Sequence, residues 1–273
     1  MPKFTQVDVF TGELTRGNAL AVVHAADELS DERMAAFARW TNLSETTFLL
    51  EPSDPAADYR VRIFTPHGEL PFAGHPTLGS ARAWLAAGGE PNAGHLVQEC
   101  GAGLVRVRRD GGRLAFAAPP LRRGGPVDDA DLAAVKRGLH LGDADVLDAR
   151  WADNGPGWIA LLLRDAATVL AIEPDFGALG SYKAGVAGAQ PAGSDTAFEV
   201  RAFSDVVEDP VTGSLNAALG QWLIGDGLAP ESYVAAQGTR LGRRGRVHVE
   251  RDGDDVWVGG ETVVGIRGEA DLW

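Results

Sequence analysis

The chain repeats itself. Tyr59-Arg-Val-Arg-Ile-Phe-Thr and Phe198-Glu-Val-Arg-Ala-Phe-Ser align at an offset of 139, and the match continues without a gap through Glu69 and Glu208, Pro71 and Pro210, Gly74 and Gly213, Gly88 and Gly227, and Gln98 and Gln237. Across positions 59–74 six residues are identical, where unrelated segments would share about one by composition. After an insertion of three, Val105-Arg-Val-Arg-Arg-Asp-Gly aligns with Val247-His-Val-Glu-Arg-Asp-Gly at an offset of 142. Such a repeat means two copies of one supersecondary unit. The 273 residues therefore read as two similar domains, 1–118 and 119–262, joined near Ala118-Pro-Pro-Leu-Arg-Arg-Gly-Gly-Pro126, a stretch with the Pro and Gly content of a connection.

Alternation and Gly/Pro punctuation predict strands at 4–10, 20–23, 47–50, 59–64, 104–108 and 114–117, and again at 158–163, 198–203, 233–236, 247–251 and 256–258. Ser30 suits the N-cap of a helix over 31–40, because its hydroxyl can accept a free first-turn N–H while Asp31 and Glu32 match the positive dipole end. Helices over 76–87 and 214–224 are apolar or small on every side, which predicts burial all round.

Each copy runs strand, loop, then Gly74-His75-Pro76-Thr77 or Gly213-Ser214-Leu215-Asn216 into its buried helix. A helix start presents unpaired N–H groups and a positive dipole end, so it can hold a carboxylate or a developing negative charge. Taken singly, His75, Asp209 and Ser214 have ordinary explanations as cap and turn residues. Their positions single them out: His75 aligns with Ser214, and Asp209 stands where the first copy has Leu70.

Composition narrows the chemistry. The 25 basic and 38 acidic side chains give a net charge of −13, which disfavours nucleic acid and anionic membrane surfaces as partners. Cys100 is the only cysteine, so an internal disulfide, a multi-cysteine zinc site and a catalytic cysteine pair are excluded; it reads as a small buried hydrophobe. No apolar h-region opens the chain and no apolar run reaches the ~18 residues of a membrane span, giving the expectation of a soluble, cytoplasmic protein. Phosphate-loop, dinucleotide, nucleophile-elbow and H-E-x-x-H patterns are missing, and Asn42-Leu-Ser44 is read as a chance glycosylation sequon.

Three segments, Asn42-Leu-Ser-Glu-Thr-Thr-Phe48, Arg62-Ile-Phe-Thr-Pro66 with Glu69-Leu-Pro-Phe-Ala-Gly-His-Pro-Thr77, and Glu208-Asp-Pro-Val-Thr-Gly-Ser214, resemble the signatures of the PhzF-like isomerases of phenazine biosynthesis. Gln237-Gly238 and Gly242-Arg-Arg-Gly-Arg246 also fit, so the similarity spans nearly the whole chain in the family's order. The resemblance implies an α+β fold of the diaminopimelate epimerase type: two pseudo-symmetric domains, each a mixed β-barrel around a central buried helix, with the active site in the cleft between them. In such proteins the last strand can cross back to the first domain, which would give 263–273 to the N-terminal half. A homodimer is implied as well, on resemblance alone.

Epimerases of this fold exchange a proton between two cysteines at the starts of the buried helices. The matching positions here are Ala73 and Thr212, neither a thiol, so two-cysteine racemisation is excluded. The PhzF-like enzymes use a glutamate instead, which carries over to Glu45, and their characterised reaction isomerises trans-2,3-dihydro-3-hydroxyanthranilate by moving a hydrogen across the ring, with no cofactor or metal. The resemblance thus casts Glu45 as general base and then general acid, a shuttle that suits a carboxyl group whose burial raises its pKa towards neutrality. His75, Asp209 and Ser214 would clamp a small carboxylated substrate, and backbone N–H groups near Gly74 and Gly213 would stabilise developing charge. Two alternatives stay open: an isomerase or lyase of another small amino or hydroxy acid, and a non-catalytic binding protein that keeps the cleft.

Overall fold

The structure is a computed structural model that describes residues 1–204 and 206–272. The chain divides into two compact units, one of Met1–Ala117 together with the residues from Gly259 onward, the other of Ala118–Val258.

The first unit contains β1 (Lys3–Val9), β2 (Asn18–Val23), α1 (Asp31–Thr41), β3 (Thr46–Leu50), β4 (Tyr59–Phe64), β5 (Glu69–Leu70), α2 (Gly74–Ala86), β6 (Leu96–Cys100), β7 (Gly103–Asp110) and β8 (Arg113–Ala117). The second contains β9 (Arg123–Pro126), α3 (Asp129–Gly138), β10 (Val146–Asp153), β11 (Trp158–Leu163), α4 (Ala166–Ala171), α5 (Phe176–Leu179), β12 (Lys183–Ala189), β13 (Phe198–Ser204), β14 (Val207–Asp209), α6 (Gly213–Gly225), β15 (Ser232–Gln237) and β16 (Gly245–Asp252). A last strand, β17 (Asp255–Glu269), begins in the second unit and ends in the first.

Strand pairing closes the first unit into a ring: β2 on β1, β1 on β17, β17 on β8, then β7, β6, β4, β3 and back to β2. The barrel is mixed, because β2 and β3 run parallel, as do β4 and β6, while the remaining registered pairs are antiparallel. Helix α2 packs on β1, β2, β3, β6 and β8, with Leu78 and Ala81 wholly buried. Gly79 permits the close approach, since a Cβ there would lie 2.5 Å from Leu20 Cδ2. Outside the barrel, α1 covers a second apolar layer of Val23, Met34, Ala38, Phe48 and Phe64. Each of these side chains except Ala38 contributes about 1.5–3 kcal/mol by leaving water.

The second unit repeats the plan. Pairing runs β9, β10, β11, β12, β13, β15, β16, with β11 parallel to β12 and β13 parallel to β15. The buried helix α6 packs on β10, β11 and β16, and Leu161, Val186 and Phe203 form an outer layer with residues of α3, α4 and α5. These mixed sheets around buried helices form the expected α+β fold. Strands β5, β6, β10, β12 and β14 and helices α3, α4 and α5 fall outside the elements read from the sequence, and three further details differ. The supposed connection at 118–126 ends in a strand, β9, paired to β10. The last predicted strand, 256–258, is the start of one running from Asp255 to Glu269. Cys100 is half-buried, its thiol donating to the Gly103 carbonyl at 3.4 Å, with burial pushing its pKa up. Of the expected terminal segment 263–273, Trp273 lies outside the described residues.

Candidate functional site

Glu45 sits just ahead of β3, on a segment pinned from both sides. Asn42 ends α1 in the left-handed conformation (φ 54°), its N–H donating to the Ala38 carbonyl, a role Asn tolerates better than most residues. Thr46 Oγ1 lies 2.8 Å from Thr41 Oγ1 on α1, and Ser80 of α2 donates to Thr47 Oγ1 at 2.9 Å. The polar run Asn42-Leu-Ser-Glu-Thr-Thr47 is thus a clamp that fixes the Glu45 backbone between two helices.

His75 lies in the first turn of α2 and is 4% exposed. Its Nε2 stands 3.4 Å from Glu45 Oε2, and the Glu45 side chain is only 15% exposed. Burial pushes the imidazole down to about 3, so His75 is neutral at pH 7 and the contact is not an ion pair. On the other side of the ring, Asn18 Nδ2 donates to His75 Nδ1 at 3.4 Å. An amide nitrogen can only donate, so Nδ1 accepts and the single ring proton belongs on Nε2, facing the Glu45 carboxyl group. Asn18 is itself placed by the loop before it: the backbone N–H groups of Arg16 and Gly17 donate to Oδ2 of buried Asp8, at 3.0 and 3.2 Å. Gly17 is obligatory there, since a Cβ would meet the Val9 carbonyl at 2.1 Å.

In the second unit Asp209 ends β14, and its Oδ2 accepts from Thr212 Oγ1 at 2.5 Å. Thr212 is held in turn by Gln237, whose Nε2 donates to Thr212 Oγ1 at 2.9 Å while its Oε1 accepts from Thr212 N at 3.0 Å. Asn216 completes the bracket, donating to Gln237 Oε1 at 2.8 Å. Ser214, 8% exposed in the first turn of α6, accepts at Oγ from Trp158 Nε1 at 3.0 Å and at its carbonyl from Asn154 Nδ2 at 2.8 Å. With an indole filling an acceptor position, the Ser214 hydroxyl proton is free to point at a bound group.

Both buried helices start unprotected. The N-caps Ala73 and Thr212 make no side-chain cap, and neither first turn holds an acidic residue. By contrast α1, α4 and α5 are capped by Ser30, Asp165 and Asp175. Gly74 and Gly213, both buried, therefore open two helix starts whose N–H groups and dipoles suit an anionic group.

The structure brings Glu45 and His75 together in the first unit, and places Asp209 and Ser214 three residues either side of Thr212 or nearer in the second. Sequence reasoning missed Asn18, Asn154, Trp158 and Asn216. Only Gln237 carried a signal, as the repeat partner of Gln98, and the two glutamines serve alike: Gln98 Nε2 donates to Thr77 Oγ1 at 3.0 Å, as Gln237 binds the residue aligned with Thr77, Asn216. Among the described residues no group of three or more His, Cys, Asp or Glu could hold a metal ion, and no helix is long and apolar enough to cross a membrane.

Comparison with known proteins extends this picture. The chain is 36% identical over 291 residues to antisense-enhancing sequence 1 of Schizosaccharomyces pombe, covering 98% of each chain. It is 31% identical over 295 residues to an uncharacterized isomerase of Escherichia coli O157:H7, again covering 98% of each. To the trans-2,3-dihydro-3-hydroxyanthranilate isomerase of Pseudomonas aeruginosa it is 33% identical over 261 residues, covering 93% of this chain and 91% of that one. A crystal structure of a PhzF-family phenazine biosynthesis protein from Enterococcus faecalis superposes with a TM-score of 0.81 at 26% identity over 99% of each chain. A probable proline racemase from Agrobacterium radiobacter, at 16% identity, shares the fold alone, with a TM-score of 0.62 over 100% of this chain and 93% of that one. The model of the phenazine biosynthesis-like proteins matches residues 7–271, a span that takes in Glu45, His75, Asp209 and Ser214, and the chain accordingly belongs to that family of isomerases.

Proposed function

We propose that the chain catalyses a cofactor-independent proton shift on a small cyclic amino or hydroxy carboxylic acid resembling trans-2,3-dihydro-3-hydroxyanthranilate, with Glu45 taking the proton from one carbon and returning it to another. The observation that carries this reading is the pair Glu45 and His75: a carboxyl group largely shielded from water, 3.4 Å from a neutral imidazole, beside an uncapped helix start. A positively charged partner would fix Glu45 as an anion; a neutral one leaves the carboxyl group able to accept and release a proton within one turnover. His75, 3.4 Å from the carboxyl group at Nε2, then helps to position Glu45. Within the second unit, Asp209 and Ser214 offer acceptor and donor groups suited to an amine, hydroxyl or carboxylate, and each uncapped helix start, at Gly74 and at Gly213, suits negative charge. The step is balanced without a co-reactant, because one C–H bond breaks and one forms.

The identity with the Pseudomonas aeruginosa enzyme supports the anthranilate-type substrate. The similarly matched isomerase of Escherichia coli, whose name states no substrate, supports a second reading in which another small amino or hydroxy acid is used. Incubation of the protein with trans-2,3-dihydro-3-hydroxyanthranilate in deuterated water, followed by proton NMR, separates the two. The first reading predicts consumption of the compound, with deuterium entering the product carbon to the extent that Glu45 exchanges between steps. No consumption and no label would reject it in favour of the second.

A further inference from the structure

At the far end of α2 from His75 the first unit opens a cavity of about 450 Å³. His75 and Ala86 are 11 positions apart on one helix, or ~16 Å at 1.5 Å per residue, so this cavity is separate from the Glu45 and His75 pair. It is walled by the end of α2 and Gly89 beyond it, by the β7–β8 hairpin and by β17, and four of its ten lining residues are arginines: Arg82, Arg109, Arg113 and Arg267. None of the ten is acidic, in a chain whose acidic residues outnumber its basic ones by 38 to 25. Arg113 pairs with Asp110 at 2.7 Å. Arg82, Arg109 and Arg267 make no ion pair or side-chain hydrogen bond among the described residues, whereas Arg62, Arg150, Arg164, Arg201, Arg240 and Arg246 each meet a carboxylate.

Gathering like charges costs free energy, so the cluster needs a cause. The negative end of the α2 dipole is the ordinary one, and the internal repeat tests it. The second copy has the same buried helix and the same hairpin, yet Arg82 aligns with Gln221, Gly112 with Asp254 and Arg113 with Asp255, leaving only Arg251 opposite Arg109. A helix end in this fold is therefore tolerated without four arginines. The excess in the first copy is a divergence between duplicates, confined to side chains that meet in one concavity.

We propose that Arg82, Arg109, Arg113 and Arg267 form a binding site for a small molecule carrying two or more phosphoryl groups. Guanidinium forks match phosphate oxygens in pairs, the cavity volume falls in the ~300–1,000 Å³ range of small-molecule sites, and the wall is mostly polar. An acidic polypeptide would meet the same charges. The half-open concavity, lined by four guanidinium groups of which only Arg113 is paired with a carboxylate among the described residues, favours a compact polyanion.

Isothermal titration of the full chain with pyrophosphate at low ionic strength tests this. Binding is expected, weakening with added salt because the overall charge of −13 opposes the ligand and only the local field attracts it. Arg82→Gln/Arg267→Gln should weaken it by about tenfold or more, two charge-assisted contacts being lost, while Arg33→Gln on α1 leaves it unchanged. Absence of binding to the wild type at millimolar pyrophosphate, or equal affinity in the double variant, would overturn the proposal. So would binding of a polyglutamate peptide without any response to pyrophosphate, which would assign the arginines to an acidic protein partner.

Discussion

His75 is neutral because it is buried, and that has a consequence for stability. In the unfolded chain its imidazole takes a proton near pH 6.5, while in the folded protein it resists protonation down to about 3. The unfolded state therefore binds more protons between these values, and folding stability should fall by roughly 1.4 kcal/mol per pH unit as the pH drops below about 6.5. His24, also pushed down by burial, acts in the same direction. Urea denaturation from neutral pH to about pH 5 should show this slope, shallower in His75→Gln; an unchanged slope in the variant would mean that His75 protonates freely in the folded state. At this scale the repeat singled out His75, Asp209 and Ser214 as candidates and the resemblance alone singled out Glu45. Asn18 could not. It reaches His75 from 57 positions away in sequence, through strand placement that no local pattern announces.

Among the elements, the clearest echo of the duplication is a pair of hairpins. Arg62 grips Glu69 through Nε and Nη2 at 2.8 and 2.7 Å, and Arg201 grips Glu208 in the same way at 2.9 and 2.7 Å. The conserved spacing of the repeat thus has a physical cause: a bidentate fork closes β4 on β5, and β13 on β14, directly before each helix start. The two forks differ in burial. Side-chain exposure is 19% and 40% for Arg62 and Glu69, but 3% and 9% for Arg201 and Glu208. Glu208→Gln should therefore destabilise by about 3 kcal/mol, leaving a buried guanidinium without its carboxylate, whereas Glu69→Gln should cost under ~1 kcal/mol; urea midpoints compare them. Elements facing a uniform interior were the hard ones to read. Strand β12, Lys-Ala-Gly-Val-Ala-Gly-Ala, lacks alternation because its glycines admit neighbours: a Cβ at Gly185 would strike Leu215 Cδ1 at 2.3 Å, and one at Gly188 the Asp165 carbonyl at 2.3 Å. Helix α3 has Leu132, Ala134 and Val135 on its packed face, too short an apolar set to stand out from its charged neighbours.

For the whole molecule, the repeat was legible in the residues, whereas the return of the final strand to the first unit was an expectation of the resemblance alone. β17 serves first one unit and then the other, and the change falls at Gly259, where a Cβ would lie 2.3 Å from the Leu114 carbonyl. Gly259→Ala should cost about 1–3 kcal/mol by forcing β17 from β8. Gly268→Ala, further along the same strand and open within 4 Å, should change stability by less than ~0.5 kcal/mol. Thermal unfolding of both variants checks the contrast; equal effects would mean that the close approach at Gly259 is relieved at no cost. Only a sequence read as a duplication explains why Ala73 and Thr212 occupy equivalent helix caps, and Thr212 has a task of its own in holding Asp209. With no thiol at either place, the proposed function gives the proton work to Glu45. The decisive measurement is turnover of trans-2,3-dihydro-3-hydroxyanthranilate in deuterated water by wild type and by Glu45→Gln, a substitution that keeps the size of the side chain and removes its titrating oxygen. Removing a general acid and base should lower kcat by roughly 10²–10⁴-fold with the fold intact; a Glu45→Gln protein as active as the wild type would contradict the account.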